Sequence, residues 1–162
     1  MNTFISLCSG ISIFSVLLIC LSIMNGIETT NATIVGNTTS IVKIGDTNIT
    51  ALLAKTPEEQ SKGLAIKDSL KENEGMLFVF DTAKPYSFWM KDMKFPIDII
   101  WLDPNKKIVH IEHNLDPCAF LLPCPSYTPN SDSMYVLEVV SNFTNKHNIK
   151  IGDQIFFDKI VK

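Results

Sequence analysis

The hydrophobic pattern divides this chain into a membrane-like run, a polar stalk and a strand-rich remainder. Asn2 to Ile27 holds no charged residue, and Phe4 to Met24 is dominated by Ile, Leu, Val, Phe and Met. At about 1.5 Å rise per residue, roughly 20 apolar residues span a hydrocarbon core of about 30 Å, so residues 1–27 predict one N-terminal transmembrane helix or a secretory signal. Glu28 to Ser40 is rich in Thr, Asn and Gly without a periodic apolar face, which reads as a flexible stalk. From Ile41 to Lys162 apolar segments recur at strand length between polar turns. About 120 residues suffice for one domain with a core and are too few for two.

Within residues 41–162 the strand signals dominate. Ile41–Ile44 and Ile49–Ala54 flank Gly45-Asp46-Thr47-Asn48, a hairpin with a glycine turn. Thr56-Pro57-Glu58-Glu59 supplies an N-cap, a proline at the first helical position and a glutamate at the third, and Gly63 ends that helix within two turns. Met76–Phe80, Ser87–Lys91, Ile97–Leu102, Ile108–Glu112, Tyr135–Val140 and Ile149–Phe157 follow as strands, with Ser141 capping a short helix through His147. Asp103 to Lys107 is a hairpin turn. Short strands with two small helices favour a mainly β barrel or sandwich over an α/β sheet, which needs longer crossovers. Asn114 to Ser133 breaks the pattern: about twenty residues carrying Pro117, Pro123, Pro125 and Pro129 are unusual in a compact domain and often functional.

The apolar leader is longer than a signal core of about 7 to 15 residues, has no basic start and is followed by no clear A-x-A-like site, so a retained single-pass anchor through residues 4–24 is favoured over a cleaved signal. No Lys or Arg lies near the ends of the run, the first lysine being Lys43; Glu28 on the far side and only the α-amino group on the near side favour a globular domain outside the cytoplasm. Cys118 and Cys124, the only cysteines beyond the leader, sit in the proline-rich loop. A disulfide is the leading reading, with reduced thiols and a zinc site with His110 and His113 as alternatives. Histidines three apart on a strand face opposite ways, which disfavours the metal, and no cofactor is expected. Asn31, Asn37, Asn48 and Asn142 begin N-x-S/T sequons, with Asn31 and Asn37 the better glycosylation candidates because they lie in the stalk. The charge, 14 Lys+Arg against 17 Asp+Glu with no arginine, argues against nucleic-acid binding.

Several motifs occur together in order: Glu74-Gly75-Met76-Leu77-Phe78, Phe88-Trp89-Met90-Lys91, Pro96-Ile97-Asp98-Ile99, Pro117-Cys118, Pro123-Cys124-Pro125-Ser126-Tyr127 and Ile149-Lys150-Ile151-Gly152-Asp153. With that spacing the chain resembles the domain of unknown function 192 family over nearly the whole domain. The resemblance implies a compact, jelly-roll-like β fold, often exported or membrane-anchored in bacteria and archaea, with no established activity. Asp92 and Met93 stand where the family usually has Asn-Thr.

Asp98 is a carboxylate inside the apolar run Ile97–Leu102 and needs a partner, because an unpaired buried charge costs several kcal/mol. Lys91 is the first candidate, as a structural bridge or as a catalytic or anion-binding pair. Trp89 and Lys91, alternating with Phe88 and Met90, are expected to line a ligand cleft near the proline loop together with Asp98 and Tyr127. His110 and Glu112 share a strand face, as a solvated edge or as an acid–base pair. Neither Gly-x-Ser-x-Gly nor His-Glu-x-x-His occurs. These readings leave a membrane-tethered binding module for an envelope ligand or protein, a hydrolase or transferase using Lys91/Asp98 or His110/Glu112, and a structural envelope protein.

Overall fold

The computed structural model describes residues 38–118, 123–158 and 160 of the chain. The anchor run at residues 4–24 and the sequons at Asn31 and Asn37 lie outside them. Among the described residues no helix is long and apolar enough to cross a membrane.

Strands β1 (Thr39–Ile44) and β2 (Thr47–Ala54) form the first hairpin, in register from Thr39↔Leu52 to Ile44↔Thr47. The connection is tighter than the expected turn because Gly45, at φ 57°, takes the left-handed conformation that a two-residue loop needs. Helix α1 (Pro57–Lys62) starts on the expected capping box: Glu59 N donates to Thr56 Oγ1, and the Thr56 and Lys55 amides donate to Glu59 Oε2. It stops at Gly63, and a short 3₁₀ turn, Gly63–Ile66, carries the chain on.

The crossover lets β3 (Glu74–Lys84) run parallel to β2, from Thr50↔Glu74 to Ala54↔Phe78. A ribbon strand, β4 (Phe88–Trp89), follows, then the hairpin of β5 (Ile97–Leu102) and β6 (Ile108–Leu115), the second ribbon strand β7 (Ser126–Tyr127), and β8 (Ser133–Val140). Helix α2 (Phe143–Lys146) and β9 (Ile155–Phe156) end the described chain. The sheet order is β6-β5-β8-β3-β2-β1-β9, with β4 and β7 paired apart from it. Among the described residues the fold is mainly β: one curled, half-barrel sheet of seven strands with two short α-helices.

Alternation along the central strands builds a core on each face. Leu77, Val79, Ile100, Leu102, Leu137 and Val139 fill the concave packing with Val42, Ile44 and Ile49. Met76, Phe78, Ile99, Trp101 and Val136 turn to the other face, where Leu64, Leu70 and Met90 cover them.

Three expected elements differ. Ile149–Phe157 is a strand only at Ile155–Phe156, because Lys150 N donates to Asp153 Oδ2 and Gly152 takes φ 98°, which makes a turn of the preceding residues. Ser87–Lys91 shortens to Phe88–Trp89, where β7 offers a partner. At the second helix the N-cap position is Asn142, in the left-handed region at φ 65° and without a side-chain capping bond, rather than Ser141.

Candidate functional site

The second face of the sheet is covered by α1 with its following turn and by the segment that carries the small β4–β7 ribbon, and a cavity of about 710 Å³ opens between them. One wall is α1 with the turn at Gly63–Ile66, the other is the segment from Tyr86 to Met93, and the floor comes from β3 and β8. The α1 wall is tied down by Gln60, whose Nε2 donates to the carbonyls of Val79 (3.0 Å) and Ala54 (3.3 Å). The opposite wall is held by Trp101 Nε1, which donates to Tyr86 O at 2.8 Å, and by Tyr86 stacked on Phe80 with centroids 3.6 Å apart. Phe88 meets Phe78 and Trp101 edge to face, at 4.8 and 5.8 Å. Behind this wall Phe88 pairs with Tyr127 and Trp89 with Ser126, while Cys118 N donates to Met90 O at 3.2 Å. The proline-rich loop, closed by the Cys118–Cys124 disulfide, therefore buttresses the segment from its back.

At the floor stands Glu138. It occupies the centre of the sheet, registered against Met76 on β3 and Ile99 on β5, so both lateral neighbours are apolar. Only 4 % of it is exposed, and its Oε2 has no hydrogen-bond partner. Burial pushes its pKa from the ordinary 4.5 up to about 8, opposed only by the Leu64 amide. Glu138 is thus an uncharged acid at neutral pH, its partnerless oxygen buried at the cavity's floor. Gly63 packs over that oxygen: a β-carbon at residue 63 would stand in ordinary van der Waals contact, 4.0 Å from Glu138 Oε2 and 3.5 Å from Phe78 Cζ. Gly63 at φ 51°, ψ −149° also occupies a conformation nearly restricted to glycine.

Trp89 and Lys91 line the cavity as neighbours at its rim, Lys91 Nζ lying 5.6 Å from the centroid of the Trp89 ring, itself 57 % exposed. Asp98 and Tyr127 do not reach it. The cleft lies between the Tyr86–Met93 segment and α1 and is not lined by the proline loop, where β7 pairs with β4.

Lys91 is not the partner of Asp98. Asp98 is fully buried on the other face and accepts four hydrogen bonds, from the amides of Asn114 (2.9 Å), Asn142 (3.0 Å) and Thr144 (2.9 Å) and from Thr144 Oγ1 (2.5 Å). Thr144 Oγ1 in turn lies 2.7 Å from His113 Nδ1. A carboxylate with four donors is a structural anchor for the start of α2 and the end of β6. His110 and Glu112 pair at 3.0 Å on the edge strand β6, away from the cavity. Among the described residues no cluster of three or more His, Cys, Asp or Glu side chains is placed to hold a metal ion.

Glu138 was missed in the sequence although its signal equals that of Asp98: Val136-Leu137-Glu138-Val139-Val140 sets one carboxylate in an apolar run.

A family model described as "Uncharacterized ACR", the domain of unknown function 192 (DUF192), matches residues 40–157. No curated protein matches the chain. Among solved structures, a protein from Sinorhizobium meliloti 1021, provisionally described as a transcription regulator, superposes with a TM-score of 0.68 at 23% identity, covering 75% of this chain and 95% of that one. A protein of unknown function from Novosphingobium aromaticivorans DSM 12444 gives a TM-score of 0.65 at 26% identity over 73% of this chain and 83% of that one.

Proposed function

The chain belongs to the domain of unknown function 192 family, and from that premise we propose that it is a binding module that takes a small ligand into the aromatic cleft above Glu138. The observation that carries this reading is the partnerless, buried Oε2 of Glu138, a residue that lines a cavity of about 710 Å³, within the range of small-molecule sites. A buried acid without a partner destabilises the sheet, and such groups persist where they serve a ligand. In the same reading the apolar run at residues 4–24 tethers the module to the membrane with its domain outside the cytoplasm, where the ligand or a partner protein of the envelope is met.

An enzymatic reading is supported by the same raised pKa, with Glu138 as a general acid in place of Lys91/Asp98 or His110/Glu112. It is the weaker one. Ser87, a hydroxyl in the cleft, is held by Thr128 at 2.6 Å, and no histidine lines the cavity to activate a nucleophile. Transcription regulation, the description of the Sinorhizobium protein, is not the reading favoured here: the described helices, of 6 and 4 residues, are too short to read a groove, and the sequence has no arginine.

The test is a screen of the full-length protein against small cationic, neutral and anionic compounds, read by thermal shift and by Trp89 fluorescence. Ligands are expected to raise the melting temperature of the wild type and to lose that effect in Ala65→Trp, which fills the cleft. Ligands that stabilise both proteins equally, or no ligand at all, would overturn the reading.

A further inference from the structure

We propose that the ligand group recognised at Glu138 is a methylated ammonium, an organic cation held between the carboxylate and the aromatic walls. This rests on the cleft being a binding site and specifies the chemistry it selects. Beyond Glu138, the rings of Phe78, Phe80, Tyr86 and Phe88 contribute to the lining together with aliphatic side chains of the Gly63–Ile66 turn, and Trp89 stands at the rim. Ring faces attract a cation, and the effect grows as the site is desolvated. Trp89 already engages one, Lys91 Nζ at 5.6 Å, so the rim shows the same contact made intramolecularly.

Competing ligand classes fit less well. A neutral polar ligand would satisfy one acceptor on the Glu138 acid and leave its other polar groups against rings that neither donate nor accept strongly. A primary amine brings three N–H donors to one carboxylate, whereas a methylated nitrogen has few or none to satisfy. A divalent metal needs several oxygen or nitrogen ligands, and the in-register neighbours of Glu138 are the apolar Met76 and Ile99. The charged and titratable groups that share the cleft do not neutralise Glu138: Lys62 is paired with Glu58 at 2.7 Å, Lys91 lies over Trp89, Asp92 is at the rim, and the Tyr86 hydroxyl donates to Thr82 O.

Charge balance fixes the step. The protonated carboxyl of Glu138 and the incoming cation give a carboxylate–ammonium pair and one proton released to solvent. No covalent bond forms other than that of the departing proton to its new base.

Isothermal titration of the full-length protein at pH 6.5 with choline and tetramethylammonium, in phosphate and in MOPS at equal ionic strength, tests this. Expected are binding, release of about one proton per ligand, and at least about tenfold weaker binding of 3,3-dimethylbutan-1-ol, the uncharged isostere of choline. Glu138→Gln should bind choline at least about tenfold more weakly and abolish proton release. That variant keeps the side-chain volume and loses an unfavourable acid, and its circular dichroism provides the folding control. Phosphatidylcholine vesicles added in place of free choline separate a lipid-borne from a soluble source of the same group. Equal binding of choline and its isostere without proton release would overturn the cation while leaving the cleft as a binding site. Failure of both ammonium probes while the wider screen finds an Ala65→Trp-sensitive ligand does the same. Failure of every ligand overturns the cleft as well.

Discussion

Asp98 and Glu138 stand on neighbouring strands one step apart in register, Asp98 opposite Val139 and Ile99 opposite Glu138, and face opposite sides of the same sheet. One carboxylate is answered by four donors, and the other has an oxygen with none. The contrast separates an anchor from a candidate site: a group kept for the fold is given partners by the fold, and a buried group left partnerless beside a cavity awaits one from elsewhere.

The first prediction is a pH-dependent cost of Glu138. Folded, the acid holds its proton to about pH 8, and its ordinary pKa is 4.5. Between those values the folded state binds more protons than the unfolded chain, so this group's contribution is fully present below about pH 4.5 and is lost as pH rises through 8. The total loss is on the order of 5 kcal/mol. Glu138→Gln removes the titration. Urea unfolding from pH 4.5 to 8.5 should show the variant gaining stability over the wild type as pH rises, and parallel curves would disprove the buried acid.

Asp98→Asn should act in the opposite direction. The amide turns an NH₂ group toward backbone donors that now have no acceptor, and the carboxylate's charge-assisted bonds to Asn142 and Thr144 are lost. A loss of about 3 kcal/mol is expected. Backbone hydrogen exchange should speed first at α2. An unchanged denaturation midpoint would remove Asp98 as the anchor.

Local rules made much of this arrangement readable. The capping box at Thr56 and Glu59, the turn glycines and the strands Ile97–Leu102 and Tyr135–Val140 follow from residues within a few positions of one another. The requirement that Asp98 find a partner was readable too, but its identity was not. Its donors come from Asn114, Asn142 and Thr144, brought together only when β5 lies between β6 and β8. The cleft has the same origin: its walls are a crossover and a segment that meet through the parallel pairing of β2 with β3, a contact no local pattern announces.

Gly63→Ala probes the wall nearest the free oxygen. At φ 51°, ψ −149° the alanine is strained by about 1–3 kcal/mol, although its β-carbon has ordinary van der Waals clearance from Phe78 and Glu138. The melting temperature should fall while Glu138 continues to titrate, so the pH slope of stability persists. A wild-type melting temperature would show that the turn does not need glycine.

The compartment is tested by coupling the leader to the crosslink. If the apolar run at residues 4–24 is a retained anchor, the full chain stays in the membrane pellet through an alkaline carbonate wash, and deletion of residues 1–37 releases it. If the domain lies outside the cytoplasm, the Cys118–Cys124 bond survives in cells, and both thiols resist alkylation until a reductant is added. Reduction should then lower the stability of the purified protein by about 2 kcal/mol, because the open loop has more conformations to lose. The two measurements constrain one another. A protein that washes free and whose cysteines label without reductant belongs to a reducing, soluble compartment, where neither a tether nor an envelope ligand applies.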